Sequence, residues 1–496
     1  MSKFNTQSES TKVINRAGGQ AFQESPKLAF VSLLLTSLLK DQYYRTEGET
    51  MKELVDFIDN IADKRFIAKA SVYARNEFGM RSITHVVAAE LAKRVKGETW
   101  MRPFLIKNFH RADDMTETWS YYMSKYGDPV PNSLRVAVKR GFDKFDDYQL
   151  AKYRAEGKAV TMLDLVNYCH PVATDKNKKS MEGLIKGTLK ASGTWNAELA
   201  KAGRNAEGDD EKGEMKKEVW ANLIKEKKLP YFAAIRNIRN IVEQAPELID
   251  ELCEVIENDE MLKRSLLFPF RFVTAVKQLQ TDGINEPRIY KSLNVALEKS
   301  FDNVPKLPGR TLVAIDHSGS MGMNGASKAL TNFEIGALFG ITLAKSNNAD
   351  IIYFGDIAKY AAINPVDSTP TLINYLDSLN KGGWGRSYGA TDVGHGTNFT
   401  AVFQEANKKY DRICFFSDMQ GWKNGGAPMA DFAKYKTRVG INPKIYSFDL
   451  TGYGTSMFPE GDIYCLAGFS DKIFGLMKMM ESDKQAMLTA IEQVEL

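Results

Sequence analysis

Cysteine is scarce in this 496-residue chain: Cys169, Cys253, Cys414 and Cys465 are the whole complement, and they form no CxxC pair. That excludes a disulfide-stapled scaffold and a zinc knuckle, and it makes a reducing cytoplasm the expected setting. Long apolar runs are missing too. No stretch reaches the roughly 18 apolar residues a membrane span needs, so no membrane partner is expected. The opening MSKFNTQSESTKVINR is polar and lacks the apolar core of a secretory signal. Charge of one sign is not in excess, with 66 Lys+Arg against 62 Asp+Glu. The surplus is uneven, +6 over residues 1–300 and −2 over 301–496, but small enough that only clustering would point to a polyanionic partner. Phosphate-cradling loops are also absent: there is no Walker A, and the glycines of 382–397 do not fit GxGxxG.

What is present is ordinary globular material, 43% hydrophobic and 26% charged, in a chain long enough for two or three domains. The first 300 residues read as successive amphipathic helices without clear strand alternation. ESPKLAFVSLLLTSLL offers Ser25 as N-cap, Pro26 in the first turn, and Leu28, Val31, Leu35 and Leu38 on one face. In TMKELVDFIDNI, Thr50 and Glu53 stand at capping-box spacing. APELIDELCEVIEN repeats the pattern with Leu248, Leu252 and Val255. Many short helices over this length imply stacked helical pairs, an irregular HEAT-like solenoid. Residues 190–218, rich in Gly and in both charges, read as a mobile excursion.

After the linker NVPKLPGR (303–310) the pattern changes. TLVAI (311–315), ADIIYF (349–354), RICFF (412–416) and KIYSF (444–448) are strand-like, with helical stretches between them at 327–345 and 398–409. Such alternation implies a mostly parallel sheet covered on both faces. Ligands bind such sheets outside the carboxyl ends of the strands. Asp316 and Asp418 both follow strands directly, Ser318 and Ser320 alternate after Asp316, and a Gly-rich loop (381–399) delivers Thr397. Oxygen-only donors suit a hard divalent cation, Mg²⁺ first, with Mn²⁺ or Ca²⁺ as alternatives. His317 and His395 read as loop residues, and no nucleophile or general-base set accompanies the carboxylates.

These five positions, Asp316, Ser318, Ser320, Thr397 and Asp418, resemble the DxSxS…T…D pattern of the von Willebrand factor A domain and its metal-ion-dependent adhesion site. The resemblance implies metal ligation by all five, directly or through water, with one position open to an outside carboxylate. The helical half carries its own resemblance. NRAGGQAF, VPNSLRVAVKRGFDKFDDYQLAKYR (130–154), LDLVNYCHP (163–171), VWANLIKEKKLPYFAAIRNIRNI (219–241) and SLLFPFRFVTA (265–275) are similar to the TROVE module. TROVE followed by an A domain is the arrangement of the Ro autoantigen family and its bacterial and phage orthologues. The implied domains are residues 1–305, a TROVE module of HEAT-like repeats, and 306–496, a doubly wound α/β A domain that closes the solenoid into a ring.

The family further implies a non-catalytic RNA-binding protein of non-coding RNA stability or quality control. Y-like small RNA would bind a basic outer surface, and the single-stranded 3′ end of misfolded RNA would enter a central hole. An exoribonuclease tethered through the RNA is a further implied partner. Lys139, Arg140, Lys144, Lys152, Arg154 and Lys158 cluster, interleaved with Phe142, Phe145, Tyr148 and Tyr153. Clustered cations suit phosphates and aromatic rings suit unpaired bases, although the rings could equally be helix core. His170, in CHP, matches an RNA-contacting His of the family whose preceding residue differs. Arg75 with Arg81, and Arg236 with Arg239, could line the inner surface or form salt bridges between repeats. Two other functions stay open: a protein-adhesion scaffold working through the metal, and a metal-dependent phosphodiesterase that lacks supporting residues.

Overall fold

Two short antiparallel strands, β1 (Lys12–Ile14) and β2 (Gln20–Gln23), lie where the sequence suggests only helices. At three and four residues they are too brief for alternation to register. Their stabilising partner is β8 (Thr455–Ser456), which pairs antiparallel with β2 from the far half of the chain. The computed structural model describes residues 11–37, 45–153, 155, 157–189, 198–199, 202–203, 209–226, 228–265, 267, 269–304, 306–322, 330–347, 349–379, 392–423, 428–459, 463–467, 477–478 and 486–496. The start of the Gly-rich loop, Arg154, and most of residues 190–208 of the excursion expected over 190–218 therefore lie outside the described residues, whereas 209–218 form the first part of a helix, Asp209–Lys225, and not a mobile excursion.

Helix α1 (Pro26–Thr36) starts as expected, with Ser25 Oγ accepting the Leu28 N–H at 3.4 Å and Pro26 in the first turn. Helix α2 (Glu47–Asn60) is capped by Thr46, four residues before the expected cap Thr50. The sequence TEGETMKE holds two consecutive Thr-x-x-Glu boxes, and the earlier one is used. Thr46 N–H donates to Glu49 Oε2 at 2.8 Å, and Glu49 N–H donates to Thr46 Oγ1 at 3.2 Å. Thr50 is an interior residue whose hydroxyl donates to Thr46 O. Glu53 is thereby released to pair with Arg45 at 2.9 Å.

The chain forms two compact units. One comprises residues 58–266, 281–292 and 491–496 and is helical. It runs through α3 (Lys64–Glu77), α4 (Ser82–Arg94), α5 (Met101–Asn108), α6 (Ala112–Tyr126), α7 (Asn132–Gly141), α8 (Asp147–Lys152), α9 (Met162–Cys169) and α10 (Lys178–Lys186). Then come α11 (Asp209–Lys225), α12 (Tyr231–Gln244), α13 (Ile249–Glu257) and α14 (Asp259–Ser265). Helix α3 packs on α5, α4 on α6, α5 on α7 and α7 on α9, the arrangement of stacked hairpins.

The other unit, residues 1–57, 267–280 and 293–490, holds a six-stranded sheet ordered β5-β4-β3-β6-β7-β9. Its strands are β3 (Thr311–Asp316), β4 (Asp350–Phe354), β5 (Ala358–Ala361), β6 (Arg412–Ser417), β7 (Lys444–Asp449) and β9 (Ile463–Ala467). All are parallel except the edge strand β5. The four strands read from sequence are all found. Two more, β5 and β9, flank them.

Successive residues of the central strands serve opposite faces. Phe416 and Phe448 stack 4.2 Å apart under Phe339 of the helix Asn332–Asn347. Phe415 packs with Phe399 and Phe403 of the helix Phe399–Glu405. Gly340 lets the first of these helices approach closely, since a Cβ there would stand 3.0 Å from both Ile315 Cδ1 and Val313 Cγ1. The N-terminal strands belong spatially to this sheet-bearing unit because β2 joins β8, although in sequence they open the segment 1–305.

Candidate functional site

The carboxyl ends of β3, β6 and β7 set out Asp316, Ser417 and Asp449 side by side, with Asp418 one step beyond β6. Ser417 Oγ donates to Asp316 Oδ2 at 2.5 Å, and Asp316 Oδ1 accepts the Ser318 N–H at 2.9 Å. Ser318 Oγ and Ser320 Oγ are 3.3 Å apart. Backbone bonds bring in the third loop: the Gly319 N–H donates to His395 O, and the N–H groups of Trp422 and Lys423 donate to Thr397 O at 3.1 and 3.2 Å. Three loops thus converge, carrying all five residues expected to hold a cation. All five are buried, Asp316 and Asp418 almost completely.

The electrostatics of this edge favour a positive guest. Burial raises the proton affinity of Asp316, which hydrogen bonds from Ser417 and Ser318 partly offset. Burial and then the neighbouring Asp316 raise that of Asp418. Asp418 Oδ2 is buried and has no hydrogen-bond partner among the described residues. An ionised oxygen so placed is costly unless a counter-charge meets it. The donor set therefore fits a hard cation. Among the described residues no three acidic, His or Cys side chains stand so that they could hold a metal by themselves, so hydroxyls would have to share the ligation.

Asp449 is a neighbour the sequence reading did not single out. Its Oδ1 accepts N–H groups of Thr451 and Gly452 at 2.9 and 2.8 Å, while Oδ2 is buried without a partner among the described residues. The signal was available, since KIYSFD ends on a carboxylate just as TLVAID does. His317 is a packing residue, with its ring 4.1 Å from that of Phe333 and Nε2 3.1 Å from Leu376 O. His395 is exposed.

In the helical unit, Lys139 and Arg140 project from the last turn of α7, exposed. Lys152, at the end of α8, lies over the rings of Tyr148 and Tyr153 at 5.5 and 5.3 Å. His170 caps α9 in a left-handed conformation (φ 49°) and is exposed. Helix α9, which ends at Cys169, packs on α7, which carries Lys139 and Arg140 in its last turn. Lys139, Arg140 and Lys152 form no ion pair among the described residues.

The rest of the basic cluster divides. Lys144 Nζ donates to Phe109 O and Ile106 O at 2.5 and 3.1 Å, capping α5, and burial lowers its proton affinity. Lys158 is exposed, 3.8 Å from Glu117. Arg154 lies outside the described residues. Of the interleaved aromatics, Phe142 and Phe145 are core, Tyr153 is half-buried under Arg111, and Tyr148 is 48% exposed. Lys176, Lys178 and Lys179 join this face, because Asp147 N–H donates to Lys176 O at 2.8 Å. The run KNKK was legible as charge, but only folding sets it beside α8.

Arg75 and Arg81 serve the interior. Arg75 Nη2 donates to Asp114 Oδ2 at 2.9 Å, and Arg81 bonds Asp113 and Asp114 at 2.7 and 3.0 Å. Arg239 pairs with Asp282 at 3.4 Å, whereas Arg236 is exposed.

A family model of the TROVE domain matches residues 20–217 and 188–308, and one of the Ro60 vWA domain matches residues 310–480. The RNA-binding protein RO60 of Caenorhabditis elegans is 24% identical over 303 residues, covering 58% of this chain and 43% of that protein. Telomerase protein component 1 of Mus musculus is 24% identical over 345 residues, covering 52% of this chain and 13% of that protein. The chain thus spans less than half the length of these relatives. The crystal structure of the Deinococcus radiodurans RO (RSR) protein superposes with a TM-score of 0.58 at 16% identity, covering 95% of this chain and 100% of that one.

Proposed function

The chain belongs to the family that joins a TROVE domain to a Ro60 vWA domain, and from that premise we propose that it binds RNA without catalysing a reaction on it. The observation carrying this reading is the exposed set Lys139, Arg140, Lys152 and His170 on α7, α8 and the end of α9, with Lys152 over the exposed ring of Tyr148. Lys139, Arg140 and Lys152 make no ion pair among the described residues and can replace the counterions of a phosphate backbone, and an exposed ring offers a stacking platform. The RNA we infer is a Y-like small non-coding RNA, together with misfolded RNA presenting a single-stranded 3′ end. The role is RNA stability or quality control, in which a bound Y-like RNA could tether an exoribonuclease. A cytoplasmic setting suits the buried free thiols of Cys169, Cys253 and Cys414.

The test is binding of a structured RNA with a free 3′ tail across a salt series. Changing Lys152 to Gln should weaken binding to all sequences and reduce the salt slope by about 1, and His170→Ala should weaken it further. Affinity that ignores salt would overturn the reading.

The second reading, a metal-dependent adhesion scaffold, is favoured by the orphaned Asp418 Oδ2. Asp316, Ser318, Ser320, Thr397 and Asp418 would hold Mg²⁺, or Mn²⁺ or Ca²⁺ in its place. The cation would neutralise the buried carboxylates and present an open position to a partner's carboxylate.

A further inference from the structure

The turn between β1 and β2 closes on the loop that carries Asp418. Asn15 Nδ2 donates to Gly421 O at 2.6 Å, and its Oδ1 accepts the N–H groups of Ala17 and Gly19 at 3.1 and 2.9 Å. Arg16 N–H donates to Gln420 Oε1 at 2.8 Å. Gln420 in turn grips the carboxylate's own residue: its N–H donates to Asp418 Oδ1 at 3.2 Å, and its Nε2 donates to Asp418 O at 3.3 Å. One residue past Gly421, the Trp422 and Lys423 N–H groups hold the Thr397 carbonyl.

Asn15 is 5% exposed and Gln420 is fully buried, so these bonds form away from water, where an unmade partner is costly. Gly19 lies so close that a Cβ would stand 2.0 Å from Gly421 O and 2.5 Å from Trp422 Cα. Any side chain at that position must push the turn off the loop.

We propose that the N-terminal turn Asn15–Gly19 is a positioning element of the cation site. It keeps the Asp418 and Thr397 loops at the spacing a divalent ion needs, and cation binding fastens the turn in return. The proposal rests on the reading of Asp316, Ser318, Ser320, Thr397 and Asp418 as a cation site. Loss of an outer partner that orients a ligand typically costs about 10- to 100-fold in metal affinity. Because binding linkage is reciprocal, an ion that favours the ordered loop also favours the docked turn.

The experiment titrates the full chain with Mn²⁺ by calorimetry and follows peptide 11–23 by hydrogen exchange with and without the ion. Gly19→Ala and Asn15→Ala should each weaken Mn²⁺ binding by about 10- to 100-fold. Lys12→Ala, on the exposed end of β1, should leave it unchanged. In the unaltered protein, saturating Mn²⁺ should slow exchange in peptide 11–23. That measurement decides the matter if a variant fails to fold. Folded variants that bind Mn²⁺ as tightly as the parent, or exchange unmoved by the ion, would overturn this proposal alone. A parent protein that binds no divalent cation would overturn the cation reading and this proposal with it.

Discussion

Asp114 gathers several elements of the helical unit at one side chain. It is buried and bonds Arg75, Arg81 and His85, and it also accepts the N–H groups of His110 and Arg111. Burial alone would raise its proton affinity, but the His85 hydrogen bond and the Arg75 charge outweigh it and hold the carboxyl well below the usual range. Asp114→Asn leaves the largely buried Arg75 side chain, 9% exposed, without its counter-charge and should destabilise the helical unit by about 3–5 kcal/mol in urea unfolding. The sign with pH follows from the lowered value. The contribution is complete above the unfolded carboxylate value of about 4 and is lost as pH falls below it, because the unfolded chain takes up a proton that folded Asp114 refuses. The Asn variant should therefore show a flatter acid limb in a stability–pH profile. Arg75 and Arg81 were readable as basic, but their commitment to Asp113 and Asp114 was not, since the partners lie on another helix.

At the scale of elements, the consecutive boxes in TEGETMKE show how a local signal can be genuine and still be assigned to the wrong register. Both Thr46 and Thr50 satisfy the spacing. Starting at Thr46 adds a turn to α2 and frees Glu53 for Arg45, whose guanidinium also donates to Thr451 O and Gly452 O. Thr46→Ala should lower stability by about 1 kcal/mol, measured as a shift in the urea midpoint. The α7–α9 segment teaches a related point. Six basic residues looked equivalent along the chain, yet helix ends sort them: Lys144 is spent on the carbonyls of α5, whereas Lys139, Arg140 and Lys152 emerge into solvent.

For the whole molecule, the two proposed activities should separate by chelation. If the five-residue edge holds Mg²⁺, saturation at about 100 times Kd should stabilise the sheet-bearing unit by about 2.7 kcal/mol, read as a rise in its Tm. EDTA should reverse the rise, and Asp316→Ala should abolish it. RNA binding through the helical unit should survive both treatments, whereas capture of a carboxylate-bearing protein partner should not. Loss of RNA binding in EDTA would show that the two activities are not independent.

The sequence by itself determined the helical first half, the four central strands and the five residues brought to one sheet edge. Each is written in local periodicity, or in a motif whose positions follow strand ends. The family resemblance was legible for the same reason, since its motifs are continuous stretches. Only the tertiary structure decided which cations are exposed, which aromatics are core, that Asp449 stands beside Asp418, and that β1 and β2 exist at all. Those outcomes depend on partners distant along the chain: Thr455 and Ser456 for the strands, the α5 carbonyls for Lys144, and Gly421 for Asn15. A short strand or a single side chain carries too little of its own energy to announce such a choice. The partner supplies it.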